Sequence, residues 1–152
     1  MEQNKVLVLY AHPSPQRSEV NRHLFKAAKS VAGVTVVDLY YEYPTYHIDI
    51  DKEQQRLSEH DVIIFQFPLY WYSTPAILKE WQDLVLEHGF AYGHDGTALQ
   101  GKRFMCAITA GGPAKAYHAE GDQRTHRCGQ HSPRCGHTAH HGRVWSDQGG
   151  CQ

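Results

Sequence analysis

The sequence predicts an α/β fold, an open parallel sheet with helices on both faces, and three observations carry that prediction. Strand-like and helix-like segments alternate from residue 5 to about residue 120. The strand-like runs are apolar throughout rather than alternating, the pattern of strands covered on both faces. The segments between them are long enough for the helical crossovers that parallel neighbours require.

The elements follow in order. Residues 5–11, KVLVLYA, read as a doubly covered strand that stops at His12-Pro13, and residues 18–31 as an amphipathic helix. Residues 34–39 form a second strand, residues 51–58 a short helix, and residues 61–66, DVIIFQ, a third strand with an apolar centre. Pro75 starts a helix, where its missing N–H is tolerated, and Ile77, Leu78, Trp81, Leu84 and Val85 recur at helical spacing to make the buried face. Residues 102–108 give a fourth strand ending at Thr109-Ala110-Gly111-Gly112, with Cys106 expected as a reduced core residue.

Length and charge narrow the classes. A chain of 152 residues fits one domain but is short for a complete doubly wound sheet. Its net charge of −1 shows no basic footprint, so no nucleic-acid partner is expected. No run has the length of a signal peptide or spanning helix, which leads to the expectation of a cytoplasmic protein.

Composition then divides the chain. Residues 1–120 are ordinary globular sequence and form the expected domain. Residues 121–152 contain no Leu, Ile, Phe, Tyr, Met, Lys, Glu or Asn, and cannot bury enough apolar surface to offset the entropy of ordering. They are expected to be a disordered tail of the composition that a shifted, GC-rich reading frame yields. Cys128, Cys135, Cys151 and the nearby histidines are competent zinc donors. Six residues separate Cys128 from Cys135, however, where structural sites have two to four, so no metal site is expected.

In parallel sheets, ligands bind beyond the carboxyl ends of the strands, which directs attention to three loops. The first, residues 12–21, brings Ser18 to a helix start, where unpaired amides and the helix dipole attract anions. It predicts a phosphate pocket with Ser18 and Asn21 as donors and His12 nearby. Ser18 acting only as a helix cap is the alternative. The second loop carries Tyr70, Trp71 and Tyr72 in succession between Pro68 and Pro75. Three consecutive rings cannot all enter one core, so a planar ligand is expected against them, the alternative being a rigid turn or dimer contact. The third, Thr109 to Gly112, lets backbone approach a ligand edge because glycine has no side chain.

Together with Tyr10-Ala11-His12-Pro13, Asn21-Arg22, Leu39-Tyr40, Tyr43-Pro44, Ile48-Asp49-Ile50, Phe67-Pro68-Leu69-Tyr70-Trp71-Tyr72-Ser73, Leu78-Lys79-Glu80-Trp81, Gly89-Phe90-Ala91-Tyr92-Gly93 and Gly101-Lys102, these loops resemble the flavodoxin-like NAD(P)H quinone oxidoreductase family. The likeness is greatest to its branch of ancillary flavoproteins of glutathione-regulated potassium efflux, and covers residues 5–120; the family continues from there with another helix, a fifth strand and a final helix, so the resemblance implies a sheet truncated after its fourth strand. The resemblance implies bound FMN or FAD, NAD(P)H as co-substrate and two-electron reduction of a quinone. It places phosphate on His12, Ser18, Glu19, Val20 and Asn21, the isoalloxazine on Leu69, Tyr70, Trp71 and Tyr72, and its polar edge on Thr109, Ala110, Gly111 and Gly112. Tyr117 falls where the family has a tyrosine facing flavin and quinone, and is the expected catalytic residue. A homodimer is implied, as is a potassium-efflux antiporter met at the cytoplasmic face of the inner membrane. A regulatory subunit with little catalysis, or a truncated inactive product, are the alternative readings.

Overall fold

The computed structural model describes residues 4–112 and Tyr117. Four strands, β1 (Val6–Tyr10), β2 (Val34–Asp38), β3 (Val62–Pro68) and β4 (Arg103–Thr109), form one sheet in the order β2-β1-β3-β4, all parallel. The helices are α1 (Glu19–Lys29), α2 (Leu39–Glu42), α3 (Ile50–Glu59) and α4 (Ala76–Val85), with a 3-10 turn at Pro15–Arg17. The expected boundary at residue 120 and the segment 121–152 lie outside the described residues.

Successive strand residues point to opposite faces, which fixes where the helices lie. The Tyr10 ring meets Phe25 of α1 at 4.7 Å, and its register partner Gln66 donates from Nε2 to the Asn21 carbonyl of α1. The neighbouring Phe65 meets Trp81 of α4 edge to face at 5.8 Å. So α1 covers one face and α4, with α3 packed on it, covers the other. The main core lies on the α3/α4 face, from Leu7, Leu9, Ile63, Phe65 and Phe67 of the sheet to Leu57, Ile77, Leu78, Trp81 and Val85 of the helices. Burying a large aliphatic or aromatic side chain contributes about 1.5–3 kcal/mol, so this layer is the main source of stability among the described residues.

Local chemistry sets the helix ends. Ser18, Asp38 and Asp49 cap α1, α2 and α3 by accepting the N–H three residues on. Pro75 stands just before α4 rather than inside it. The short α2 was not expected, because Leu39 reads as the end of the second strand; the Asp38 cap turns the chain there instead.

Cys106 departs from expectation, being exposed rather than in the core. Its strand, β4, is an edge of the described sheet, and on its Phe65-facing side Phe104 and Ile108 are exposed as well. Apolar composition identified the strand correctly but carried no information on whether both its faces are covered.

Candidate functional site

After β2 the chain returns past β1 to pair β3 on the far side, so the strand order reverses between β1 and β3. The loops after β1, β3 and β4 converge there. Register places Tyr10 beside Gln66 and Asp38, and Pro68 beside Thr109, and the Leu69 N–H donates to the Thr109 carbonyl at 2.7 Å.

The first loop ends on the start of α1. Ser18 Oγ accepts from the Asn21 N–H at 3.3 Å and from Asn21 Nδ2 at 3.1 Å, so Ser18 is a helix cap. The oxygen accepts in both bonds, which leaves the hydroxyl hydrogen for another acceptor. Glu19 and Val20 have exposed side chains, and what they can offer an anion is the first N–H groups of the helix. His12 is buried, and its Nδ1 accepts from the Ser14 N–H at 3.0 Å. An amide can only donate, so Nδ1 carries the lone pair and the neutral ring holds its hydrogen on Nε2. Burial pushes the His12 pKa below its ordinary value, opposed in part by Asp38. His12 is thus a neutral Nε2–H donor rather than a cation.

Asn21 is the joint of the site. It is 2% exposed, and its Nδ2 reaches Ser18 Oγ and, at 2.6 Å, Thr109 Oγ1, tying the helix start to the end of β4 across 88 residues of sequence. Its Oδ1 is buried without a hydrogen-bond partner among the described residues. An orphan acceptor of this kind costs about 1–3 kcal/mol unless water or a ligand supplies a donor.

The second loop is a two-residue hairpin turn. Tyr70 and Ser73 exchange both N–H···O bonds, at 3.0 and 2.9 Å, around Trp71 and Tyr72. Both central residues have positive φ, 47° and 62°. The three rings divide. Tyr70 turns toward His12, ring centroids 6.4 Å apart, while Trp71 and Tyr72 line an open cleft of about 180 Å³ with Leu69 and Tyr117. In the third loop Gly112 donates its N–H to the Tyr117 hydroxyl at 3.3 Å. A Cβ at Gly112 would press on that ring, whereas one at Gly111 would meet nothing within 4 Å. Ala110 is exposed.

Three contributors were not anticipated. Gln66 is buried and anchors the Asn21 carbonyl at 3.0 Å; a polar residue closing an apolar strand was the available signal. Asp38 caps α2, and its burial raises its pKa. Tyr10 keeps a buried hydroxyl without a partner among the described residues, and burial, then Asp38 and Tyr70, pushes it up to about 12. Both sit at strand ends where the apolar run hides them.

A family model described as flavodoxin-like fold matches residues 4–132. The glutathione-regulated potassium-efflux system ancillary protein KefG of Pectobacterium atrosepticum is 56% identical over 120 residues, 79% of this chain and 66% of that protein, so the chain spans just under two thirds of that relative's length. General stress protein 14 of Treponema denticola, solved in complex with FMN, aligns at 40% identity and a TM-score of 0.75 over 78% of this chain and 68% of that one. The NADPH-quinone reductase of P. pentosaceus aligns at 37% identity and a TM-score of 0.68, covering 78% and 67%.

Proposed function

The chain belongs to the flavodoxin-like fold family, and on that premise we propose that it binds FMN at the β1/β3 switch point and uses NAD(P)H to reduce a quinone by two electrons. One observation carries the reading: buried Asn21 binds the start of α1 to the end of β4 while leaving an unpartnered acceptor, beside a cleft walled by Trp71, Tyr72 and Tyr117. These features fit a ligand with an anionic end, a hydroxylated middle and a planar ring. The relative solved with FMN supports FMN over FAD.

The residues take distinct tasks. Ser18, the first amides of α1 and the His12 Nε2–H would hold the phosphate, and Asn21 Oδ1 would be free to accept from a hydroxyl of the ligand. Leu69, Trp71 and Tyr72 provide the surface for the ring, with Thr109, Ala110 and Gly111 along its edge. Bound FMN supplies the capacity to take a hydride and pass two electrons on. Tyr117 accepts from Gly112, which leaves its own hydroxyl hydrogen to donate to the quinone oxygen that gains charge.

The visible spectrum tests the proposal. FMN titrated into the full chain should give a bound spectrum that bleaches with NADH or NADPH and recovers on adding a quinone. A chain that takes up no FMN overturns it.

The likeness to KefG supports a second task, as a subunit of a potassium-efflux system. Among the described residues no helix is long and apolar enough to cross a membrane. Co-purification with such a transporter should survive loss of flavin; failure to co-purify rejects this second task and leaves the first intact.

A further inference from the structure

We propose that the Trp71–Tyr72 turn is strained by its own side chains, and that the two rings are kept there for the ligand at the expense of the stability of the fold. The inference rests on the flavin reading for its second half only.

A two-residue hairpin turn with both central φ angles positive favours Asn-Gly, because left-handed backbone pushes an ordinary Cβ toward the next carbonyl. Here the positions hold Trp and Tyr, two bulky residues for which such backbone is rare, at φ 47° and 62°. Neither ring earns its place by deep burial: Trp71 is 84% and Tyr72 46% exposed, and the two meet edge to face at 6.4 Å. The backbone conformation is imposed from outside the pair. Tyr70 and Ser73 close the turn with two hydrogen bonds, the Leu69 N–H is fixed to the end of β4, and α4 follows directly after Pro75. The scaffold therefore over-determines a turn that its sequence opposes, which is how strain persists at functional positions. With the rings projecting into the cleft shared by Leu69 and Tyr117, the side chains that strain the turn are the ones that offer ligand surface.

Two double variants of the full chain separate strain from ring contact. In Trp71→Asn/Tyr72→Gly the turn receives its preferred residues and loses both rings. In Trp71→Ala/Tyr72→Ala the rings go but both Cβ atoms stay. The flavin-free Asn-Gly variant should be more stable than the unmodified chain by about tenfold in its folding equilibrium, about 1.4 kcal/mol, measured by urea denaturation. The Ala-Ala variant should show no such gain. Both should bind FMN at least about tenfold more weakly, measured by quenching of flavin fluorescence. An Asn-Gly variant less stable than, or equal to, the unmodified chain overturns the strain. An Asn-Gly variant that binds FMN as tightly as the unmodified chain overturns the role of the rings. If the unmodified chain binds no FMN while the Asn-Gly variant is still stabilised, the flavin reading falls and the strain stands.

Discussion

Removing the buried carboxylate of Glu53 should unfold this protein more readily than most single substitutions, and the structure allows the cost to be worked out. Glu53 is fully buried on α3. Its Oε1 accepts from the Tyr43 hydroxyl at 2.6 Å and from Arg56, and its Oε2 accepts from Trp81 Nε1 at 3.0 Å. One side chain thus binds the segment after α2 to α3 and α4. Glu53→Leu strands two buried neutral donors, on Tyr43 and Trp81, at about 1–3 kcal/mol each. Arg56 is partly exposed and keeps Glu42 at 3.2 Å, so it adds about 1 kcal/mol at most. The buried leucine returns about 2 kcal/mol of apolar transfer. The net loss is about 3 kcal/mol. With a urea dependence of about 2 kcal/mol per M, the midpoint should fall by about 1.5 M, followed by tryptophan fluorescence. Adding Tyr43→Phe removes one stranded donor and should recover about 1–2 kcal/mol. A Glu53→Leu midpoint unchanged from the parent, or a double variant no better than the single, would refute the account of Glu53 as the acceptor on which these donors depend.

The remaining predictions concern the site. The His12 pKa lies below its ordinary 6.5 because of burial, so below about pH 6.5 the unfolded chain binds more protons than the folded one. His12 should therefore remove stability as pH falls from about 6.5 toward its folded value. Asp38, raised by burial, should act with the opposite sign at lower pH. His12→Asn keeps an acceptor for the Ser14 amide and should flatten this slope below about pH 6.5 in parallel urea titrations; an unchanged slope contradicts the burial argument. Asn21→Ala removes the link to Thr109 and the orphan acceptor, and should weaken FMN binding about tenfold, read by fluorescence quenching. Tyr117→Phe should leave FMN affinity within about twofold and slow quinone reduction about 10–100-fold. In stopped-flow measurements, equal rates for parent and variant would remove Tyr117 from the reaction.

The sheet was legible because its strands are short apolar runs with polar or turn-forming residues at their ends, and all four appear within one or two residues of the expected bounds. Helix α4 was legible for a different reason, the spacing of Ile77, Leu78, Trp81 and Val85, which are all buried. Periodicity could not find α2, whose four residues make barely one turn, nor the exposure of Cys106, which depends on what neighbours the strand rather than on the strand itself. The network on Glu53 was equally hidden. A glutamate in an otherwise charged helix, DKEQQR, reads as solvated, and only the tertiary approach of Tyr43 and Trp81 makes it a core residue.

At the candidate site, position was legible and conformation was not. Strand ends announced themselves through His12-Pro13, Pro68-Leu69 and Gly111-Gly112, and parallel topology requires such ends to share one edge of the sheet. Which partners those ends choose is a question of angstroms. Ser18 was readable as cap or as phosphate donor, and the structure shows that the alternatives do not compete, because an oxygen that accepts from Asn21 still has a hydrogen to give. The Tyr70-Trp71-Tyr72 run was readable as a platform, yet one of its rings turns to His12 and the other two sit on left-handed backbone. A positive φ is foreseeable where glycine or asparagine stands; at Trp71 and Tyr72 it is set by the hydrogen bonds of Tyr70 and Ser73 around them. That conflict between local preference and imposed geometry sets the turn apart from the well-matched strands and helices around it, where local preference and fold agree.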